Sequence, residues 1–197
     1  MTSAPLRDTT SLPSSYRTHR SVDFKKDRKF ATTIQLVFML VVLGAVAAAF
    51  LLELPLGTTW TPAFTIPITL GACLAYMAIH EATHGVVLQA VTKVKPTYAF
   101  RFPFLTTGNR AYLTRQNAVA VAVAPAIIWG IVLIAAQLTV PQDYLLSAYI
   151  LLTLNFAGSA GDYVEVAVLL RQPQDALVKD DGNQIHVFVP KISRAAR

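Results

Sequence analysis

The sequence predicts an all-α membrane protein with about four transmembrane helices and short β-hairpin elements on the cytoplasmic side. Of its 197 residues, 54% are hydrophobic and only 14% are charged, whereas soluble domains carry roughly 25% charged residues. Four apolar stretches hold almost no charge, and the basic residues lie between and beyond them. A single cysteine excludes an internal disulfide framework. These observations argue against a soluble globule and against a mostly disordered chain.

Each of the four apolar stretches is long enough to cross a bilayer. They cover residues 31–52, about 67–91, about 117–140 and about 144–170. At about 1.5 Å per residue, a helix of about 20 residues spans a hydrocarbon core about 30 Å thick. Because proline is tolerated in the first turn of a helix, we predict that Pro67 opens the second span.

The basic residues predict the orientation of these spans. All 17 Lys and Arg residues lie before the first span, between the second and third, or after the fourth. The positive-inside rule therefore places both termini in the cytoplasm. We expect residues 1–30 to form a flexible cytoplasmic tail, residues 31–190 a membrane-embedded domain, and residues 191–197 a basic C-terminal tail. Since topology accounts for these charges, the expected partner is the lipid bilayer and not a nucleic acid.

The second span carries the run HEATH at residues 80–84. On a helix, positions i and i+4 share one face, so the imidazoles of His80 and His84 can reach one ion. Glu81 is turned about 100° from His80, near enough to act as a general base on a metal-bound water. This arrangement is the zincin pattern. The alternative, two buried histidines that bond to neighbouring helices, requires three ionisable groups to be desolvated without a ligand.

A zinc site with two histidines usually takes a third protein ligand. His84 precedes Lys93 by nine residues, and Asp162 precedes Arg171 by nine residues. Both spans run in the same direction in the predicted topology, so His84 and Asp162 lie at similar depth. Asp162 is therefore the predicted third ligand, with Glu165, one turn later, as its competitor.

Small residues surround this aspartate. The run GSAG at residues 158–161 either allows close helix approach or introduces a local break, and each would bring Asp162 near the histidines. Asn155 lies two turns before Asp162 on the same face. It is a candidate catalytic group that orients substrate or stabilises an oxyanion, and an interhelical hydrogen bond is the alternative.

Two hairpins are predicted outside the spans. Aromatic residues alternate from Tyr98 to Phe104, and a turn at residues 106–109 is expected to follow. This hairpin could add an extended substrate strand along its edge or anchor the chain at the membrane surface. A second hairpin is predicted to turn at residues 180–183.

Together, HEATHG on one span, an asparagine and GSAGD on a later span resemble the site-2 protease class of intramembrane metalloproteases. More closely, they resemble a family of small bacterial membrane proteins classed as zincin peptidases with unassigned substrates. The resemblance implies Zn2+ held by His80, His84 and Asp162, with Glu81 as the catalytic glutamate. The flanking residues Gly161 and Tyr163 depart from the Asn-Pro-Asp-Gly turn of better-known site-2 proteases.

The predicted function is zinc-dependent hydrolysis of peptide bonds in membrane proteins. The expected substrate is a transmembrane peptide segment that is locally unwound, and the expected location is the bacterial cell membrane. One alternative is a non-proteolytic, zinc-binding membrane scaffold or regulator. Another is a serine protease that uses Ser159, which would leave the HExxH run unexplained.

Overall fold

The computed structural model describes residues 8–22, 27–101, 104–180 and 184–191. Over these residues the chain is mostly helical, with small antiparallel sheets. The elements, in chain order, are β1 (Tyr16–Val22), α1 (Arg28–Leu51), α2 (Pro62–Thr92), β2 (Thr97–Arg101), β3 (Phe104–Gly108), β4 (Leu113–Thr114), α3 (Arg115–Gln137), α4 (Gln142–Gly158), α5 (Ala160–Leu170), β5 (Leu177–Asp180) and β6 (Ile185–Pro190).

In the part of the chain that the structure describes, four helical segments are long and apolar enough to cross a membrane, as predicted. They are α1, α2, α3 and the continuous stretch Gln142–Leu170 that contains α4 and α5. Helix α1 buries none of its residues inside the protein, and large apolar side chains also face outward on α2 and α3. Apolar side chains left outside a packed core are expected where lipid replaces water as the solvent.

The predicted start of the second span at Pro67 is wrong. Helix α2 begins at Pro62, which follows the extended residue Thr61, and Pro67 lies inside the helix. Pro62 is suited to the first helical position because its missing N–H has no helical partner there. The later proline removes one helical hydrogen bond without ending the helix.

The fourth span is divided into two helices. Helix α4 ends at Gly158, helix α5 begins at Ala160, and Ser159 lies between them. Of the two predicted effects of the run GSAG, the local break is therefore the one observed. Asp162 consequently lies in the first turn of α5.

A four-stranded antiparallel sheet lies beside the helices in the order β1-β6-β5-β4. Strands β5 and β6 form the predicted second hairpin, and its turn at residues 181–183 lies outside the described residues. The core of the protein sits where this sheet meets helices α2, α3 and α5. Its members are Leu88, Leu113, Ala118, Leu169, Ala176, Val178, Ile185 and Val187.

The expected flexible tail contains ordered structure. Strand β1 pairs with β6, so that Tyr16 lies opposite Pro190. Asp8 accepts hydrogen bonds at 2.7 Å from the backbone N–H of Thr114 and from the Asn117 side chain, at the start of α3. The described residues near both ends of the chain therefore lie on the same side of the helices, as an even number of spans requires. Residues 1–7 and 192–197 lie outside the described residues.

A hairpin is present in this region, but it is not the predicted one, because Tyr98 to Phe104 do not form a single strand and the turn does not lie at residues 106–109. Strands β2 and β3 pair with Arg101 opposite Phe104, and residues 102–103, which join them, lie outside the described residues. Residues 106–108, assigned to the turn, belong to β3 instead. The reason is that the β-branched residues Thr106 and Thr107 favour a strand.

Candidate metal centre

Three side chains of metal-ligand type meet inside the helical bundle. Helix α2 supplies His80 and His84, and helix α5 supplies Asp162. The Nε2 atom of His80 lies 3.4 Å from Oδ2 of Asp162, and Nε2 of His84 lies 3.5 Å from Oδ1. One ligand atom from each of the three residues lies within 4.8 Å of the others. They are therefore close enough to bind a metal ion.

The separations fit a tetrahedral zinc site. With bonds of about 2.1 Å to nitrogen and oxygen, two ligands of a tetrahedral zinc ion lie about 3.4 Å apart. The distances from each histidine to Asp162 are 3.4 and 3.5 Å. The three side chains are 12%, 13% and 19% exposed, so the group is largely removed from solvent but still accessible.

The orientation of His84 is fixed from helix α3. Its Nδ1 atom lies 3.0 Å from the backbone carbonyl oxygen of Val121. A carbonyl can only accept a hydrogen bond, so Nδ1 carries the proton. In the neutral imidazole, the Nε2 atom that faces Asp162 is then a bare acceptor.

The orientation of His80 follows from a longer chain of hydrogen bonds. The Asn155 amide nitrogen donates to the carbonyl oxygen of Ala126 at 3.1 Å. The Asn155 oxygen must therefore face the Tyr76 hydroxyl, which donates to it at 2.5 Å. That hydroxyl oxygen lies 3.3 Å from Nδ1 of His80 and remains available to accept. The neutral imidazole of His80 therefore also carries its proton on Nδ1 and presents a bare Nε2.

The resulting site consists of acceptors that face one another. Two imidazole lone pairs and a carboxylate converge, and without a cation between them these groups repel. Protonating one histidine would satisfy only one side of the Asp162 carboxylate, and protonating both would place two positive charges next to each other among buried groups, which is costly. A divalent cation satisfies all three side chains. The donor set and the hydrogen bonds that orient it thus fit zinc.

Glu81 lies beside these ligands and is held by the β2–β3 hairpin. The Thr107 hydroxyl of strand β3 lies 3.1 Å from Oε2 of Glu81 and 3.1 Å from its backbone oxygen. Its strand partner Tyr98 lies against Gly85, one turn after Glu81. A Cβ atom on Gly85 would lie 2.0 Å from the Tyr98 hydroxyl oxygen. The glycine after the histidine pair therefore allows the hairpin to rest on this face of α2.

The other predicted residues have different surroundings. Asn155 is fully buried and both its amide atoms bond to α2 and α3, as the interhelical alternative expects. Its assignment as a catalytic group stays a prediction. Ser159 is also fully buried, and its hydroxyl donates to the Asn155 backbone oxygen at 2.8 Å. Glu165 does not belong to the group of three ligand residues, and its electrostatic neighbours are Asp180 and Asp162.

Sequence reasoning missed the residues that support the site. Tyr76 precedes His80 by one helical turn, and this spacing was a signal that the two side chains share a face. Thr107 carried no such signal, because it comes from a strand that follows α2. The Val121 carbonyl is a backbone group and has no sequence pattern of its own.

A family model described as "putative zincin peptidase" matches residues 73–177, which is more than half of the chain. The matched segment includes both histidines, Glu81 and Asp162. A search of curated proteins and a search of solved structures found no match.

Proposed function

This chain belongs to the "putative zincin peptidase" family, and from that premise we propose that it is a zinc-dependent peptidase that cleaves membrane proteins within the membrane. The observation that supports this most strongly is the convergence of the His80 and His84 Nε2 atoms and the Asp162 carboxylate beside Glu81. The family alone supports a metallopeptidase. The intramembrane setting and a relation to site-2 proteases are part of the proposal.

Three residues hold the metal in this proposal. They are His80, His84 and Asp162, whose ligand atoms lie together in the bundle. Zinc bound there would act as a Lewis acid on the scissile carbonyl and lower the pKa of a water toward about 7.

Glu81 is the proposed general acid and base. One of its carboxylate oxygens, Oε2, faces the Thr107 hydroxyl, which leaves Oε1 to accept a proton. Glu81 then delivers this proton to the leaving amine, so one side chain serves both steps. Its electrostatic neighbours include both histidines and Asp162, which supports this role.

The substrate proposed is a transmembrane segment of another protein. The metal centre lies on two of the four helical segments that are apolar enough to cross a membrane, so a peptide must enter the bilayer or be drawn out of it to reach Glu81. Helical hydrogen bonds hide the backbone carbonyl, so this segment must unwind locally before hydrolysis. We further propose that both termini are cytoplasmic, because this places all 17 Lys and Arg residues on the inner side.

The test combines cleavage with metal content. Detergent-purified full-length protein, Glu81→Gln and the distant control Glu53→Gln are incubated with single-span substrates. We expect the Glu81 variant to retain zinc and to lose at least about 100-fold in cleavage rate, while the Glu53 variant retains both. Equal cleavage by Glu81→Gln and the unaltered protein would contradict the mechanism.

A second function is favoured by the origin of the ligands on two helices. Since α2 and α5 both contribute, a bound ion would tie these helices together, as in a zinc-stabilised scaffold or regulator of membrane partners. In that case cells with Glu81→Gln behave like cells with the unaltered protein, whereas cells with His80→Ala behave like cells that lack it. The peptidase predicts that cells with either substitution behave like cells that lack the protein.

A further inference from the structure

Helix α3 contains a proline at the point where it passes the metal centre. Pro125 lies inside the helix, one turn after Val121, and is fully buried. Proline has no backbone N–H, so residue 125 cannot donate the usual helical hydrogen bond to the Val121 carbonyl, and its ring crowds that carbonyl. The Val121 oxygen instead faces Nδ1 of His84 at 3.0 Å.

We propose that Pro125 is a positioning residue for the metal centre. By releasing the Val121 carbonyl from the helix, it supplies the acceptor that fixes the proton of His84 on Nδ1. The Nε2 atom is thereby directed at the metal position beside Asp162. Pro125 acts through Val121 and contacts no reacting atom. The inference rests on the zinc site of the proposed function.

A second feature of α3 supports the same role for this helix. The Ala126 carbonyl accepts from Asn155, and Gly130, one turn later, leaves room for that amide. A Cβ atom on Gly130 would lie 3.1 Å from the Phe156 ring and 3.4 Å from the Asn155 nitrogen. Backbone carbonyls of α3 therefore orient both ligands: Val121 contacts His84 directly, and Ala126 acts on His80 through Asn155 and Tyr76.

Such partners matter because the hydrogen bond on one imidazole nitrogen decides which form of the ring meets the metal. Removing a partner of this kind typically lowers metal affinity 10- to 100-fold. A proline that merely bends a helix would not have this effect. Pro67 provides the comparison, since it also lies inside a membrane-spanning helix but precedes the metal ligands of α2 by more than three turns.

The test measures zinc affinity in Pro125→Ala and in the matched control Pro67→Ala. Full-length protein in detergent is titrated with zinc against a chelator of known affinity. We expect the dissociation constant to rise about tenfold in the Pro125 variant and to stay unchanged in the control. The Pro125 variant is expected to unfold no earlier than the unaltered protein, because alanine restores the helical hydrogen bond. An unchanged constant, or an equal rise in both variants, overturns the inference.

A second measurement, on protein that keeps both prolines, covers the case in which Pro125→Ala fails to fold. In a background that lacks His19 and His186, nitrogen NMR of the zinc-free protein, at a pH where the imidazoles are neutral, reports the protonated nitrogen of the two remaining histidines. We expect His84 to carry its proton on Nδ1, and a proton on Nε2 overturns the inference.

If the unaltered protein binds no zinc, the zinc site itself is wrong. If it binds zinc and Pro125→Ala binds equally well, only the role of Pro125 is wrong.

Discussion

The Thr107 hydroxyl lies 3.1 Å from the Oε2 atom of Glu81 and thus connects a β-hairpin to the proposed general base. The same hydroxyl lies 3.1 Å from the Glu81 backbone oxygen, so it contacts the helix backbone as well as the side chain. The strand partner of Thr107, Tyr98, rests on Gly85. The hairpin is therefore fixed to α2 at two positions one turn apart, and Glu81 is one of them.

Replacing Thr107 with valine should lower the hydrolysis rate without releasing the metal. Valine has nearly the same shape but cannot hold the Glu81 carboxylate, and small displacements of a catalytic group cost about 10- to 100-fold. Thr107→Ser keeps the hydroxyl and should stay within a few-fold of the unaltered rate. Zinc content and turnover are measured on the same preparations. Equal rates for the valine and serine variants would show that the contact is only structural.

Removal of Asp162 should release the metal, whereas removal of Glu165 should not. The Asp162 oxygens face both histidines at 3.4 and 3.5 Å, while Glu165 lies one turn further along α5. Elemental analysis of purified protein should find about one zinc per chain, in keeping with a single three-ligand site. Asp162→Ala should lose it and Glu165→Gln should keep it. The reverse pattern would make Glu165 the third ligand.

Tyr76→Phe should weaken zinc binding about tenfold. The substitution deprives Nδ1 of His80 of its acceptor and leaves the Asn155 oxygen without its donor. Tyr149→Phe is the matched control, because its hydroxyl donates to the Ala45 carbonyl elsewhere in the bundle at 2.6 Å. A competition titration with a chelator distinguishes the two variants. The same affinity in both would show that His80 does not depend on Tyr76.

Asn155→Ala should destabilise the folded protein by about 1–2 kcal/mol. Its amide is fully buried and joins Tyr76 to Ala126, so alanine removes one hydrogen bond from each partner. Unfolding in detergent measures the loss, and zinc affinity should fall in parallel. If stability and affinity are unchanged while hydrolysis is lost, Asn155 acts on the substrate and not on the position of Tyr76.

Ser159→Ala should retain hydrolysis within about twofold. The Ser159 hydroxyl is buried and donates to the backbone of its own helix turn. Ser147→Ala is a suitable control, because that hydroxyl is also buried and shares a hydrogen bond with Thr69. A loss of more than about 100-fold in Ser159→Ala, with zinc retained, would support the serine mechanism instead.

Local patterns predicted the spans and the histidine pair. Hydropathy depends on composition within one helix, and the spacing of His80 and His84 fixes their common face without reference to other elements. Asp162 was also within reach of sequence reasoning, because equal distances to the first inner charges placed it at the depth of His84. These inferences needed only helix geometry and the direction of each span.

Contacts between distant elements could not be predicted in this way. Strand β1 was missed because its partner β6 lies at the other end of the chain, and a strand at the edge of a sheet has little hydrophobic pattern of its own. The predicted turn at residues 106–109 was wrong because Thr106 and Thr107 lie in β3, where they pair with β2. The roles of Thr107 and the Val121 carbonyl depend on how the hairpin and α3 pack against α2.

The pairing of β1 with β6 has a consequence for the order of synthesis. The ribosome completes β1 before the first span and β6 only after the fourth. Strand β1 therefore has no β6 to pair with until all four helical segments have left the ribosome. The pairing of β1 with β6 can form only after the last strand has been made, so it requires synthesis of the chain through residue 190. A truncated chain that lacks β6 would expose β1, and we expect quality-control proteases to recognise it there.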